Sequence, residues 1–319
     1  MTMRILITGA HGFIGNALVH LLAQGGHEIT ALTSRGPETA LRDLPVSKVV
    51  HGSLLDEASL RAAVRDVTGV VHLAALTRVR ESFDREGEYV AVNAGGTAAL
   101  LRAAEREAHA AGNGMHLVFA STGAVYDSSA PQPFTESSPL KPTNPYAQSK
   151  LQAEDVLRSA SLESCGSQVT VLRLFNVAGA ASGRGDGDVS RIIPKALAVA
   201  AGDAPALQVN GDGSAVRDFV HVLDAARAIA AALQAGDPGA VRTYNVGATA
   251  ASVADIIDVC SKVTGRYIEV EYLPPKPEPQ VLLADCASIH RDLGWAPVHS
   301  DLPVIIADAW AAMSPGAGS

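Results

Sequence analysis

An α/β fold with a doubly wound parallel sheet is what this sequence predicts, on three observations. Short apolar runs alternate with helical patterns through the first half, glycines spaced as Gly9, Gly12 and Gly15 join the first run to the first helix, and the rhythm changes after Asn176. Alternating strands and amphipathic helices read as βαβ units, whose parallel strands need helical crossovers on both sheet faces. The expected strands are 4–8, 28–33, 48–51, 69–73, 115–120 and 168–174, and the expected helices are 14–25, 57–66, 93–111 and 146–162.

Taken in order, Arg4-Ile5-Leu6-Ile7 is the apolar run of a strand covered on both faces. The turn that follows, Thr8-Gly9-Ala10-His11-Gly12-Phe13-Ile14-Gly15, suits a pyrophosphate. Gly9 allows the tight turn, Gly12 lets backbone N–H groups approach an anion, and Gly15 brings the helix close, with its N-terminus adding partial positive charge. Asp56 reads as the N-cap of the helix whose buried face starts at Leu60. After Asn176 come a Gly/Ala/Asp-rich stretch at 178–188, a helix opening at Pro194 and a Gly-Asp-Gly turn within 210–215. A helix at 252–265, a Pro-rich loop at 274–279 and a tail at 314–319 complete the chain. The expected division is a dinucleotide-binding domain of 1–176, with 216–248 returning to it, and a smaller C-terminal α/β lobe of 177–215 and 249–319 for substrate.

Composition narrows the partners. The chain has 319 residues, 47% hydrophobic and 18% charged, enough for a large core of closely packed layers. A net charge of −8 without a basic run argues against nucleic acid. With no apolar stretch of about 18 residues and no signal pattern, a soluble, cytoplasmic protein off the membrane is expected. Cys165, Cys260 and Cys286 are odd in number and lack metal-ligand spacing, so reduced, packed residues are expected and no metal site.

The chemistry centres on Tyr146-Ala147-Gln148-Ser149-Lys150, with Ser121-Thr122 upstream. On a helix, Tyr146 and Lys150 share a face one turn apart. The ammonium, with a positively charged nicotinamide, is expected to lower the phenol pKa from about 10. Tyr146 then exchanges protons near neutrality while the Thr122 hydroxyl steadies the reacting oxygen.

These residues resemble the extended short-chain dehydrogenase/reductases, a Rossmann-like family, and among them nucleotide-sugar 4-epimerases of the UDP-glucose 4-epimerase type. The likeness runs through Thr8–Gly15, His72-Leu73-Ala74-Ala75, Asn93–Thr97, Ser121-Thr122, Tyr146 with Lys150, and Arg173-Leu174-Phe175-Asn176. It continues through Gly211-Asp212-Gly213, Arg217–Asp224, Tyr244-Asn245-Val246-Gly247, Ala284-Asp285 and Leu293-Gly294-Trp295. The resemblance implies cofactor contacts from Gly9, His11, Gly12, Phe13, Ile14, Gly15, Ser53, Leu54, Leu73, Ala74, Ala75, Asn93, Tyr146 and Lys150. It implies substrate contacts from Thr77, Thr122, Asn176, Lys195, Arg217 and Lys276, with Asn176 and Arg217 on a diphosphate. A guanidinium suits that task by bridging phosphate oxygens, although Arg217 could instead pair with Asp218 or Asp224. It further implies a homodimer through the helices 93–111 and 146–162.

The sequence also departs from the family pattern. Thr33-Ser34-Arg35 stands where NAD-preferring members place an Asp, and losing that carboxylate while gaining a guanidinium favours NADP(H). Ser53 replaces an Asp near the adenine, Thr77 a lysine near the nicotinamide ribose, and Lys276 an arginine in a shorter loop. Gly123-Ala124 replaces the Asp-Glu pair of sugar dehydratases, which disfavours elimination of water. The expected activity is 4-epimerisation through a transient 4-ketose on an NAD(P) cofactor. The alternatives are an NADPH-dependent 4-ketosugar reductase and a non-catalytic dinucleotide-binding regulator.

Overall fold

The computed structural model describes residues 2–34, 44–159, 166–276 and 278–313. Its strands are β1 (Arg4–Thr8), β2 (Glu28–Thr33), β3 (Lys48–His51), β4 (Gly69–His72), β5 (His116–Thr122), β6 (Gln168–Leu174), β7 (Asn176–Ala178), β8 (Ala180–Ala181), β9 (Arg184–Gly185), β10 (Leu207–Asn210), β11 (Val216–His221), β12 (Val241–Val246), β13 (Thr249–Ser252), β14 (Val270–Leu273) and β15 (Val281–Leu282). The α-helices are α1 (Phe13–Gln24), α2 (Glu57–Val64), α3 (Val79–Ser82), α4 (Glu86–Tyr89), α5 (Gly96–Ala111), α6 (Pro145–Arg158), α7 (Ile192–Ala201), α8 (Val222–Gln234), α9 (Val253–Thr264), α10 (Ala287–Leu293) and α11 (Leu302–Met313).

Seven strands form an all-parallel sheet in the order β12-β6-β5-β4-β1-β2-β3. The chain fills one side of β1 with β2 and β3, then restarts on the other side with β4. That reversal sends the flanking helices to opposite faces and opens a crevice at the carboxyl ends of β1 and β4. Side chains alternate between two cores. Ile5, Ile7, Ile29 and Val71 meet α1 and α8 through Leu18, Leu22, Ala225 and Ile229. Leu6, Val70, Leu117 and Phe119 meet α2, α5 and α6 through Leu60, Leu100, Ala104 and Leu157.

The strands 4–8, 28–33, 48–51 and 168–174 form with the expected bounds, and that expected at 69–73 stops at His72. The strand expected to end at 120 continues to Thr122, because Ser121 and Thr122 keep pairing with Arg173 and Leu174 of β6. Asp56 caps α2, its carboxylate accepting from the N–H groups of Ala58 and Ser59. Helix α7 starts at Ile192, two residues before the expected opening, with Pro194 in a first turn that needs no N–H from it. A π-helical turn, Val90–Gly95, opens the helix expected from 93. Helix α6 is described to Arg158, and the expected continuation to 162 enters residues outside the described set.

The segment 216–248 does not return to the first half as one piece. All six residues of β12 pair with β6 at the end of the main sheet, and α8 packs on α1. Strand β11 instead pairs with β13 antiparallel and with β7 and β15 in parallel, forming a second sheet. The ladder beside β6 is already filled by β12, so β11 takes its partners from the second half. There α7, α9 and α11 enclose a separate core around Leu197, Phe219, Ile256 and Ile305. Among the described residues no helix is long and apolar enough to cross a membrane.

Candidate active site

The glycine turn sits where β1 ends. Gly9 has φ +76°, a left-handed value that side chains resist, and a Cβ there would lie 2.8 Å from the Ala74 nitrogen. A Cβ on Gly15 would come within 2.2 Å of the Gly9 carbonyl oxygen, so any other residue would force helix and turn apart. Gly12 heads α1 with no side-chain cap, leaving backbone N–H groups of the first turn for an anion. His11, Phe13 and Ile14 belong to this turn and helix start. Leu73, Ala74 and Ala75 form the opposite lip, held by hydrogen bonds from Leu73 N–H to the Thr8 carbonyl and from Ala74 N–H to the Thr8 hydroxyl.

That lip is anchored by buried polar groups. His72 bridges the Thr8 hydroxyl at 2.8 Å and the Thr97 hydroxyl at 3.0 Å, and burial lowers its pKa to about 3, so the imidazole is neutral. Asn93, on the π-helical turn, accepts from Leu76 N–H and donates to the Leu76 carbonyl and the Ser149 hydroxyl. Both amide N–H groups are thereby engaged, and the side chain is 1% exposed. Asn93 thus grips the backbone of Leu76 at the end of the lip. It ties the lip to α6, and π turns of this kind recur at functional sites because they re-aim side chains.

Helix α6 begins one residue before Tyr146. The Asn144 side chain caps it by accepting from Ala147 N–H at 2.9 Å, and Pro145 fills the first position, placing Tyr146 in the opening turn. The phenol faces the Thr122 hydroxyl at the end of β5, a hydrogen bond that favours phenolate, while burial pushes the tyrosine pKa up more strongly. One turn on, Lys150 is 3% exposed, its Nζ 3.9 Å from the Phe119 ring centroid. Burial lowers its pKa to about 7, against the raising influence of Glu154. The expected lowering of the Tyr146 pKa by Lys150 is therefore not what the site by itself produces. Burial governs both groups, and each is held towards its neutral form.

Glu154 is fully buried one further turn along α6. Its oxygens accept from Arg173 Nε at 3.1 Å and Nη2 at 2.8 Å, from the Ser121 hydroxyl and from Arg158. Arg173 also donates to the Tyr126 hydroxyl at 2.8 Å, which donates to Asn245 at 2.6 Å. This network bolts the end of β5, and with it Thr122, to α6 and β6. Its glutamate escaped sequence reasoning, although a Glu four residues beyond Lys150 on an otherwise buried face was a legible signal.

The second half contributes separate groups. Arg217 on β11 is 21% exposed and lies 3.9 Å from Glu278. It pairs with neither Asp218 nor Asp224. Asp218 accepts from the N–H groups of Ala248 and Ala284, and Asp224 from Val298, His299 and Arg227. Asn176 is exposed at the start of β7 and donates to the Asp218 carbonyl. Lys276 lines a groove of about 800 Å³ with Asn210, Asp212, Tyr272 and Glu278. Lys195 is engaged elsewhere, its ammonium donating to the Gln208 carbonyl at 3.2 Å. Arg191 at the start of α7, which sequence reasoning missed, acts on the Tyr146 phenol by its charge.

Thr33 ends β2 beside the crevice and is 5% exposed, Ser34 is exposed, and Arg35 lies outside the described residues. Ser53 accepts from Leu55 N–H, Leu54 is buried against Gly96, and Thr77 is exposed after the lip. A Cβ on Gly123 would come within 2.9 Å of the Phe175 ring, so a side chain there requires that ring to shift. Burial raises the thiols of Cys260 and Cys286 to about 12, which leaves them unreactive, and Cys165 lies outside the described residues.

Residues 5–247 match the model of the NAD dependent epimerase/dehydratase family. A UDP-glucose 4-epimerase from Corynebacterium glutamicum is 34% identical, with 97% of this chain and 95% of that protein covered. The crystal structure of UDP-glucose 4-epimerase from Brucella ovis in complex with NAD is similar at a TM-score of 0.88 and 30% identity, covering 97% and 98% of the two chains. MoeE5 in complex with UDP-glucuronic acid and NAD is similar at a TM-score of 0.84 and 28% identity, with the same coverage.

Proposed function

Because this chain belongs to the NAD dependent epimerase/dehydratase family, we infer that it is a nucleotide-sugar 4-epimerase that works with a nicotinamide dinucleotide. The observation that carries the reading is the meeting of Tyr146, Thr122 and Lys150 at the carboxyl end of the sheet. The glycine turn fits the dinucleotide, since its close backbone contacts would be blocked by any Cβ and its helix start lacks a side-chain cap. Gly9, Gly12 and Gly15 would hold the pyrophosphate there, with Leu73, Ala74 and Ala75 on the facing lip. A bound nicotinamide would supply the acceptor and the donor of the hydride at the sugar carbon.

Tyr146 removes the proton of the C4 hydroxyl and gives one back when the ketose is reduced. Thr122 donates to the same oxygen and holds it in line with the phenol. Lys150, with a pKa of about 7, exists partly as ammonium at neutral pH, and only together with the positive charge of a bound nicotinamide would it draw the phenol towards phenolate. Asn176 and Arg217 hold the diphosphate from the second lobe, with Lys276 beside them and Thr77 at the lip, while the sugar turns. The lobe division at Asn176 serves this task, with β11 carrying Arg217 out to the substrate side.

For the ribose we propose that a 2′-phosphate is accepted, because neither Thr33 nor Ser34 carries a charge to repel it. One experiment tests function and cofactor together. Protein purified without added nucleotide is expected to absorb near 340 nm or release dinucleotide on denaturation, and to interconvert C4 epimers of a UDP-sugar without added cofactor. The mass of the released nucleotide distinguishes NAD from NADP. Empty protein that consumes NADPH with a 4-ketosugar would overturn the epimerase in favour of a reductase.

We also propose a homodimer through α5 and α6. Ala98 and Ala99 are half-buried on α5, and small side chains permit close helix approach. Sedimentation equilibrium is expected to give twice the 32.9 kDa chain mass, and a single-chain mass would refute the pairing.

A further inference from the structure

Asp218 on β11 is 5% exposed, and its two carboxylate oxygens accept from different segments of the chain. Oδ1 takes the Ala248 N–H at 2.6 Å, two residues past the end of β12 in the main sheet. Oδ2 takes the Ala284 N–H at 3.0 Å, two residues past β15 in the second sheet. A Cβ on Gly247 would lie 2.6 Å from the same carboxylate, so the turn after β12 closes on it with no room for a side chain. The backbone of Asp218 is engaged as well. Its carbonyl accepts from the Asn176 amide at 2.8 Å, and the residue before it is Arg217. One buried carboxylate thus joins the main sheet to the strand that carries Arg217.

We propose that Asp218 is the positioning residue of the diphosphate site, holding Arg217 and Asn176 at a fixed place relative to Tyr146. This rests on the epimerase reading, in which those two side chains grip the diphosphate, and deepens it. The guanidinium of Arg217 is held loosely by its own contacts. Nη1 donates to the neighbouring Val216 carbonyl at 2.9 Å, and Glu278 lies 3.9 Å away, beyond hydrogen-bond range. Its place is therefore set by β11, and β11 is pinned by Asp218. The other end of the tether leads to the helix of Tyr146. Phe134 N–H donates to the Leu283 carbonyl, and Asp285 N–H to the Phe134 carbonyl, both at 2.8 Å, on either side of Ala284. Phe134 stacks on Tyr126 with ring centroids 4.7 Å apart, and Tyr126 accepts from Arg173, the partner of Glu154 on α6. Closely packed groups transmit a shift rather than absorb it, so the spacing from diphosphate to phenol runs through this carboxylate. Two N–H donors need an acceptor at both oxygens, and a carboxamide would turn its own NH2 against one of them.

The test is Asp218→Asn, nearly the same shape with one acceptor lost, and UDP is the probe. Calorimetry is expected to show the Kd of UDP raised by about tenfold or more, with the KM for UDP-glucose rising alongside, kcat falling by less and retained dinucleotide unchanged. A lowered unfolding temperature with UDP affinity intact would overturn the assignment, since that is all a merely structural carboxylate would give. In the double variant with Arg217→Gln, the loss of UDP affinity is expected to fall well short of the product of the two single losses, because Asp218 acts through Arg217. Losses that multiply in full would overturn it. Should Asp218→Asn fail to fold, hydrogen exchange on the wild-type protein decides. Saturating UDP is expected to slow exchange of the Ala248 and Ala284 amides by about tenfold or more, and unchanged rates would overturn the assignment. UDP affinity untouched by Arg217→Gln would bring down the diphosphate reading and this assignment together. A loss in Arg217→Gln beside none in Asp218→Asn would defeat the assignment alone and leave the epimerase standing.

Discussion

Tyr146→Phe is expected to lower kcat by about 10³-fold while leaving dinucleotide retention and the unfolding temperature nearly unchanged. The substitution removes one oxygen from a ring held by the first turn of α6, so packing changes little. What is lost is the acid–base group. Thr122 cannot replace it, because an aliphatic hydroxyl does not ionise near neutrality, and Lys150 is oriented over Phe119 one turn away. Burial raises the phenol pKa, so proton removal is the part of the reaction that depends most on its neighbours. Steady-state kinetics in both directions, with a melting curve, provide the check. Residual turnover above a tenth of wild type would mean that another group carries the proton.

Lys150→Met is expected to abolish turnover and also to stabilise the protein without bound nucleotide. The lysine pKa falls from 10.5 in the unfolded chain to about 7 in the fold. Between those values the unfolded chain binds a proton that the folded chain does not, so wild-type stability rises with pH from about 7 to 10.5. Below pH 7 the whole cost of burying the charge is present, at most about 5 kcal/mol for such a gap. Methionine has similar volume and no charge, and Glu154 keeps Arg173 and Arg158 as partners. Urea titrations are expected to show a gain of about 3 kcal/mol at pH 7 that fades towards pH 10.5. A destabilised variant, or a gain independent of pH, would show that Lys150 is not held against its own charge. The expected gain, fading as pH rises, would mean that the fold gives up stability to keep the lysine one turn from the phenol.

Much of this was legible along the chain. The apolar runs located the strands from β1 to β6, because inner strands covered on both faces must be largely apolar, while the edge strand β3 buries only Val50. The glycine turn was legible because close backbone approach and a left-handed Gly9 leave no room for side chains. Tyr146 and Lys150 share a face by helical geometry alone. Side-chain partners were less legible. The Arg217 pairing with Asp218 or Asp224 does not form, because those carboxylates serve backbone N–H groups brought by later segments. The Asn93 amide bonds Leu76 and Ser149, partners 17 and 56 residues away that no local pattern announces.

The sequence by itself determined the parallel α/β core, the glycine turn at the head of α1 and the shared helix face of Tyr146 and Lys150, since each follows from local spacing and backbone sterics. Tertiary structure alone decided which charges meet. It set burial rather than the neighbouring ammonium as the ruler of the Tyr146 and Lys150 pKa values, sank Glu154 against Arg173, sent β11 to a second sheet, and brought Arg191 to bear on the phenol. Electrostatic strength depends on through-space distance and exclusion of water, and neither is written in the order of residues.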